Sequence, residues 1–262
     1  MIGIFIAAGL GSRLAPLTDE CPKCMLPLGG KPILRHNIDL LRRFDTEQVY
    51  VITGYQAEKI NFSDVTYLHN NDFRNNNILF SLMHARHVFE QAIDRQQSLL
   101  ISYSDIVYNH AAVKTLTEQQ GEFVLVADKS WKKSYIGRTD HPESEAEKII
   151  LEQQRITRLG KGLTAEHKSQ QELEFIGLLK LSPEACDRWL THFDALKKSL
   201  EPSSPFMGAA EFQKSYLTHF LQNLIDNGES IQAATIDGGW MEFDTPQDYQ
   251  NLQLRSKTFI DD

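Results

Sequence analysis

A glycine-rich segment carrying a cation directly follows the first apolar run of the chain. It reads Ala7-Ala-Gly-Leu-Gly-Ser-Arg13, and a second cation, Lys23, follows a short distance later. Glycine after a buried strand lets backbone N–H groups approach an anion, because no Cβ intervenes and positive φ values cost little. The spacing fits neither the dinucleotide-binding fingerprint nor a Walker loop. We interpret Arg13 and Lys23 as cations that meet a polyphosphate; the alternative is an ordinary strand-to-helix turn with two solvated charges.

Two aspartates are candidates for holding a metal ion. Asp105 follows the apolar run Leu99-Leu-Ile-Ser-Tyr103, and Asp244 precedes a helix start at Thr245-Pro246. A triphosphate arrives with Mg²⁺, which takes one or two carboxylates and completes its shell with phosphate oxygens and water. Each aspartate taken singly is explained as readily by a helix cap or a turn. Glu242 is a weaker candidate for a supporting carboxylate.

Aromatic and charged residues in the middle of the chain offer a second binding surface. Trp131 and Tyr135 precede Arg138 and Glu145, and an aromatic face with nearby carboxylates attracts an alkylammonium group. The alternative is that Trp131 is buried packing and the glutamate is solvated. Lys161, between two glycines, is a candidate for binding a phosphate on the same ligand.

A run of three asparagines, Asn75-Asn-Asn77, stands before a helical pattern. Its amide groups can read a nucleotide base or fix a second substrate. Asparagine is also a good helix cap, so a purely structural helix entry explains the run equally well.

Alternating apolar runs and helical patterns predict the framework that positions these residues. Strands are predicted over 2–7, 49–53 and 99–103, with helices from Lys31 and over 78–93 between them. This βαβ succession predicts an α/β fold with a doubly wound, mostly parallel sheet, which binds ligands beyond the carboxyl ends of its strands. The whole chain, 1–262, is predicted to be a single domain. Residues 128–171 form an elaborated β-rich insertion or lid that contacts the second substrate.

Composition excludes several classes of function. The 262 residues include 27 Lys+Arg and 35 Asp+Glu, a net charge of −8. This acidic balance disfavours sequence-independent binding of nucleic acid. No apolar run reaches the roughly 20 residues that a membrane-spanning helix needs, and an odd count of three cysteines suits a reducing compartment. We therefore predict a cytosolic protein with no membrane insertion and no disulfides, either a monomer or a homodimer.

Several motifs together resemble the nucleotidyltransferases that join a nucleoside triphosphate to a phosphorylated small molecule. They are Ala-Ala-Gly-x-Gly-Ser-Arg, Pro22-Lys23, Leu26-Pro27 and Gly30-Lys31-Pro32. Four further segments resemble the branch that includes bacterial phosphocholine and 2-aminoethylphosphonate cytidylyltransferases. These are Asn75-Asn-Asn-Ile-Leu-Phe-Ser-Leu82, Glu145-Ala-Glu-Lys148, Glu174-Phe-Ile-Gly177 and Trp240-Met-Glu-Phe-Asp-Thr-Pro246.

The resemblance implies a Rossmann-like nucleotidyltransferase fold and a role for each matching residue. It implies that Arg13 and Lys23 are catalytic and that Asp105 and Asp244 bind Mg²⁺. The nucleotide-binding residues would be Ala7, Ala8, Gly9, Gly11, Ser12, Arg13, Lys23, Gly54, Tyr55, Asn76 and Ser81. The acceptor-binding residues would be Asn77, Trp131, Tyr135, Arg138, Glu145, Lys161 and Glu174.

The expected reaction is Mg²⁺-dependent transfer of a cytidylyl group from CTP to a phosphorylated or phosphonylated zwitterion, with release of pyrophosphate. The attacking oxygen is already anionic near neutral pH, so a general base is dispensable and none of the nine histidines has to be catalytic. Two alternatives remain at this point. One is a sugar-1-phosphate nucleotidyltransferase that uses UTP or dTTP, and the other is a non-catalytic nucleotide-sensing subunit.

Overall fold

The computed structural model describes residues 1–260 and contains thirteen strands and eight α-helices in that range. The strands are β1 (Ile2–Ala7), β2 (Pro27–Leu28), β3 (Lys31–Pro32), β4 (Gln48–Thr53), β5 (Thr66–His69), β6 (Leu99–Tyr103), β7 (Ile106–Tyr108), β8 (Phe123–Asp128), β9 (Lys148–Glu152), β10 (Arg155–Gly160), β11 (Gln170–Leu181), β12 (Ile231–Ile236) and β13 (Trp240–Glu242). The helices are α1 (Ile33–Arg42), α2 (Ile78–Leu82), α3 (Arg86–Asp94), α4 (His110–Glu118), α5 (Pro183–Ser199), α6 (Leu217–Asp226), α7 (Pro246–Leu254) and α8 (Lys257–Ile260).

Nine of the strands form one sheet in the order β5-β4-β1-β6-β11-β8-β12-β10-β9. Strands β5, β4, β1 and β6 are parallel, whereas β11 runs antiparallel to both β6 and β8. Strand β11 also pairs with β9 through its first residues, so the last five strands of the order close on themselves like a barrel. The α/β prediction is confirmed, with a sheet that is parallel in its first half and mixed in its second.

The helices cover both faces of the sheet because the strands are apolar on both sides. Alternate residues of β1 point to opposite layers: Ile4 packs in the core beneath α3, α5 and α6, and Phe5 packs in the core beneath α1 and α4. Every residue of β1 is buried. This strand is therefore central, and its carboxyl end opens into the space where the glycine-rich segment begins.

The predicted helix over 78–93 is interrupted, and several short elements were not predicted. A 3₁₀ turn at Met83–Ala85 separates α2 from α3. The predicted helix from Lys31 begins at Ile33, because Lys31 and Pro32 pair with β2. Strands β5, β7 and β13 and helix α4 were missed, and three of these four elements are strands of only three or four residues.

Residues 128–171 are only partly separate from the main sheet. Strands β9 and β10 join the large sheet through β11 and β12, and the connections include 3₁₀ turns at Trp131–Tyr135 and Glu143–Glu145. Within residues 1–260, no helix is both long and apolar enough to span a membrane. Cys21, Cys24 and Cys186 are all free in this structure.

Candidate active site

A cavity of about 520 Å³ opens beyond the carboxyl ends of β1 and β6 and beside the middle of β11. It is where the rule for parallel sheets places a ligand. Fifteen of the predicted site residues line it: Ala7, Ala8, Gly9, Gly11, Ser12, Arg13, Lys23, Asn76, Asn77, Ser81, Asp105, Glu145, Lys161, Glu174 and Asp244. The predicted nucleotide, metal and acceptor residues therefore share one cavity, apart from the five described below.

The glycine-rich loop is held in shape at Gly11. This residue has φ = 63°, a left-handed conformation, and a Cβ there would lie 3.2 Å from Cβ of Lys23 and 3.3 Å from Cγ2 of Thr18. The Thr18 hydroxyl donates to the Gly11 carbonyl at 2.9 Å. At Gly9 a Cβ would meet no atom within 4 Å. Gly11 is thus needed for the close approach of Lys23, whereas Gly9 borders open space.

Lys23 joins the two aspartates at the centre of the cavity. Its Nζ lies 2.9 Å from Oδ2 of Asp105 and also donates to Oδ1 of Asp244. Arg13 binds the other carboxylate oxygen of Asp244. Burial opposes ionisation of Asp244, but Lys23 and Arg13 outweigh it and hold the pKa of this carboxyl well below its usual range. Burial would also lower the pKa of Lys23, yet Asp105 and Asp244 raise it above its usual value.

The pairing of two short strands and a helix cap position the two aspartates. Asp105 lies in the turn between β6 and β7, and β7 pairs with β13, which leads directly to Asp244. Helix α7 then begins at the N-cap Thr245, whose side chain accepts from the N–H of Asp248. In return, Oδ2 of Asp248 accepts from the N–H groups of Asp244 and Thr245, each at 3.0 Å. This capping box fixes the backbone on which the Asp244 carboxylate stands.

The predicted asparagines line the cavity but also have structural partners. Asn77 is the N-cap of α2, where its Oδ1 accepts from the N–H of Ile78 at 2.8 Å, and its Nδ2 donates to the Lys214 carbonyl. Asn76 exchanges amide hydrogen bonds with the buried Asn70, which also donates to Ser81. The capping interpretation therefore accounts for the side chain of Asn77.

Two residues predicted to bind the nucleotide, Gly54 and Tyr55, do not line the cavity. A Cβ on Gly54 would lie 2.7 Å from the Ala8 carbonyl oxygen and 2.8 Å from Cβ of Phe73. The N–H of Tyr55 donates to the same Ala8 carbonyl, and its hydroxyl donates to the carbonyl of Thr18. Both residues support the glycine-rich loop from behind, and their contact with a nucleotide stays a prediction.

Three residues of the middle segment that were predicted to bind the acceptor do not line the cavity. Trp131 is only 1% exposed and its indole N–H donates to the Glu172 carbonyl, so it is packing and not a wall of the cavity. Tyr135 does not line the cavity either, although its hydroxyl donates to Oε1 of Glu174 at 2.5 Å. Arg138 is paired with Asp248 outside the cavity. These three side chains therefore position other residues.

An acidic end of the cavity is formed by Glu147 and Glu174. Glu147 accepts from Thr218 at 3.1 Å and from Tyr103 at 3.3 Å, and burial raises its pKa to about 7 against these hydrogen bonds. Burial likewise raises the pKa of Glu174 to about 8, despite its bond from Tyr135. Oε2 of Glu174 is buried without a hydrogen-bond partner. A carboxylate oxygen in this state can accept a bond from a ligand.

The wall between the acidic end and Asp105 depends on Gly177 in β11. The pairing of β11 with β8 shifts register between Phe175 and Leu179, a bulge in which Gly177 has φ = 83°. A Cβ there would lie 2.5 Å from the ring of Tyr103, which lines the cavity. Glycine thus lets this ring lie against the strand.

Three further residues of the cavity, His141, Arg74 and Lys214, were not predicted from the sequence. His141 lies 3.3 Å from Oδ2 of Asp244 through Nδ1, and burial together with the charge of Arg138 lowers its pKa to about 4. Arg74 and Lys214 also line the cavity. None of the three belongs to a recognisable motif. His141 lies in a loop that is held in place by the ion pair between Arg138 and Asp248, and Asp248 is far away in the chain. The sequence carries no signal for such contacts.

The residues present suit a hard divalent cation. Asp105 and Asp244 offer carboxylate oxygens to the same cavity, which is the donor type that Mg²⁺ takes in proteins. Lys23 now bridges these two carboxylates, so a bound metal ion would take over part of the charge compensation that the ammonium provides.

Comparisons with known proteins agree with this geometry. Residues 3–167 match the model of the MobA-like NTP transferase domain. The chain is also 31% identical over 255 residues to a CTP:phosphoglutamine cytidylyltransferase of Campylobacter jejuni, covering 95% of this chain and 98% of that one. The chain belongs to the MobA-like NTP transferase family.

This nucleotidyltransferase has further full-length relatives. It is 24% identical over 263 residues to a UTP–glucose-1-phosphate uridylyltransferase of Haloferax volcanii, covering 97% of this chain and 96% of that one. Its fold matches the CTP:phosphocholine cytidylyltransferase of Streptococcus pneumoniae with a TM-score of 0.71 at 16% identity, over 97% of this chain and 98% of that one. The predicted family and fold are therefore confirmed.

Proposed function

We propose that this nucleotidyltransferase transfers a cytidylyl group from CTP to a small phosphorylated acceptor that carries a cationic nitrogen. The observation that carries the proposal is one cavity that is lined by Arg13, Lys23 and two aspartates and also by the half-buried Glu147 and the buried Glu174. The similarity to the Campylobacter jejuni phosphoglutamine enzyme and the shared fold with the phosphocholine enzyme support CTP and an acceptor of this class.

The reaction proposed is an in-line displacement at the α-phosphorus of CTP. An acceptor phosphate oxygen forms the new P–O bond, the bond to the β-phosphate oxygen breaks, and pyrophosphate leaves with the electron pair. Asp105 and Asp244 would hold Mg²⁺, which neutralises charge on the phosphate oxygens when bound. Arg13 and Lys23 stabilise the charge that develops on the leaving group. Their present partner, Asp244, keeps both cations at the cavity before substrate arrives.

The acidic end is proposed to recognise the cationic nitrogen of the acceptor. Oε2 of Glu174 is buried without a partner, and Glu147 lies in the same cavity. A cation bound there favours ionisation of both carboxyls, which the raised pKa values otherwise oppose. Lys161, which now pairs with Glu145 at 2.7 Å, is the candidate for the acceptor phosphate. Phosphocholine, 2-aminoethylphosphonate and phosphoglutamine all combine a phosphorus oxyanion with a nitrogen-bearing group.

The test is pyrophosphate release measured with each of the four nucleoside triphosphates and a panel of acceptors. The panel contains the three zwitterions, glucose 1-phosphate and 3,3-dimethylbutyl phosphate, the uncharged carbon isostere of phosphocholine. We expect turnover with CTP and at least one zwitterion. Release that required UTP or dTTP with glucose 1-phosphate, and ignored every zwitterion, would refute the proposal in favour of sugar activation.

The raised pKa values of Glu147 and Glu174 predict a pH dependence for acceptor binding. Below about pH 7 both carboxyls are mostly protonated and neutral, because their pKa values are raised to about 7 and about 8. As the pH rises from 6 to 8.5 they ionise, so the KM of a zwitterionic acceptor should fall about tenfold, equivalent to about 1.4 kcal/mol. Steady-state kinetics over this pH range measure the effect.

Two controls isolate this effect from titration of the acceptor phosphate. If the isostere is a substrate, it carries the same phosphate without the nitrogen charge, so its KM should not fall in parallel. Glu174→Gln should raise the zwitterion KM and flatten its pH profile. An equal pH dependence for wild type and the Glu147→Gln, Glu174→Gln double variant would contradict the assignment of the acidic end.

A further inference from the structure

His141, Glu242 and Asp244 converge beside the proposed Mg²⁺ position. Each offers one ligand atom, and these atoms lie within 4.8 Å of one another. His141 Nε2 lies 3.6 Å from Oε2 of Glu242, and the side chain of His141 is only 3% exposed. Its Nδ1 is buried without a hydrogen-bond partner although it faces Asp244. A buried imidazole beside two carboxylates, with its Nδ1 unpartnered, is a set of groups that can ligate a metal ion.

The protein holds His141 in this position through contacts on both sides of the loop. Arg138, whose side chain is 7% exposed, pairs with Asp248 of α7 and with Glu242 of β13. The N–H groups of Thr139 and Asp140 donate to the side chain of Gln247. The loop is therefore fastened to the same two elements that carry Glu242 and Asp244, and the three donor groups are positioned together before any ligand binds.

We propose that His141, Glu242 and Asp244 bind a divalent first-row transition metal ion, which this site prefers over Mg²⁺. Imidazole nitrogen with carboxylate oxygen suits Mn²⁺, Co²⁺ or Zn²⁺, whereas Mg²⁺ takes oxygen ligands. Three ligands about 2.1 Å from one metal ion lie about 3 to 3.6 Å apart, so side-chain atoms that are now within 4.8 Å of one another must approach by roughly 1 Å to complete the site. Oδ2 of Asp244 is also the partner of Arg13, so the ion would release this guanidinium toward the phosphates.

The experiment titrates nucleotide-free protein with Co²⁺ alone and follows the visible absorption of the bound ion. Wild type is compared with His141→Asn and with His84→Asn, which removes an exposed histidine outside the cavity. We expect His141→Asn to weaken Co²⁺ binding at least about tenfold. We expect His84→Asn to leave the Co²⁺ affinity unchanged, and Mg²⁺ affinity measured by competition to change less than about twofold in His141→Asn.

A spectroscopic measurement on wild type keeps the proposal testable if His141→Asn fails to fold. Pulsed electron paramagnetic resonance of bound Mn²⁺ should detect directly coordinated nitrogen. Absence of that coupling, or equal Co²⁺ affinity in wild type and a folded His141→Asn, would mean that any ion binds through Asp105 and Asp244 only, and would overturn the proposal. Because no nucleotide or acceptor is present, this outcome is independent of whether CTP is the substrate.

Discussion

Replacing Asp105 by Asn should lower kcat by about 10²–10³-fold while CTP affinity changes less than about tenfold. The amide keeps the size of the carboxylate but removes the charge that is proposed to hold the metal ion, so catalysis should lose more than ground-state binding. The Asp105 side chain is 34% exposed and has Lys23 as an ion-pair partner, so the variant should fold. Stopped-flow pyrophosphate release and equilibrium CTP binding measure the two quantities separately.

The matched control is Asp226→Asn, the same chemical change on α6, where Asp226 accepts a surface hydrogen bond from Gln222. Its kcat should stay within about twofold of wild type. This comparison also addresses the nucleotide-sensor alternative. A protein that binds CTP but shows no turnover with any acceptor, and that loses CTP affinity in the Asp105 variant, would be a sensor and not an enzyme.

Replacing Lys23 by Met should reduce both catalysis and stability. Lys23 is the ammonium between Asp105 and Asp244, and its side chain is 11% exposed. Without it, kcat should fall about 10²–10³-fold because the leaving pyrophosphate loses a cation. The free energy of unfolding should also fall by roughly 3 kcal/mol, since removing one partner leaves the buried Asp244 charge with less compensation. Denaturant titration measures this second effect.

Lys31→Met is the control for the stability effect. Lys31 also pairs with an aspartate, Asp39, but these side chains are 39% and 36% exposed. A surface ion pair of this kind contributes about 0–1 kcal/mol, so unfolding should change little. Equal destabilisation by the two substitutions would show that the Lys23 ion pairs contribute no more to stability than a solvated ion pair.

Addition of Mg²⁺ should partly restore the free energy of unfolding of Lys23→Met, since the ion would supply the missing positive charge.

The first half of the fold could be predicted from sequence because its signals are local. Buried parallel strands appear as continuous apolar runs, and the glycine-rich loop follows β1 directly. The two aspartates were also predictable, since one follows a strand and the other precedes a capped helix. Their meeting on Lys23 follows from the sheet topology, which places the ends of β1 and β6 side by side.

The roles of the proposed acceptor-binding residues were harder to predict because their side chains have partners far away in the chain. Trp131 and Arg138 carry the residue types expected in a zwitterion pocket, yet Glu172 and Asp248 occupy them. Neither partner is adjacent in sequence, so residue type alone could not separate a binding role from a positioning role. His141 is the opposite case: it lines the cavity but was not predicted, because no local pattern indicated that its loop folds onto α7.

Strand β11 links the two ends of the cavity in one continuous stretch of backbone. Its first residues, as far as Glu174, pair with β9, and Leu178 pairs with Ser102 near the carboxyl end of β6, the strand that precedes Asp105. One continuous strand therefore fixes the spacing between Glu174 and the carboxyl end of β6, the positions where the proposed acceptor and nucleotide would bind. Arg13 and Lys161 line the same cavity from segments outside this strand, so closure around bound ligands would change their distances to Glu174 and leave the spacing along β11 unchanged.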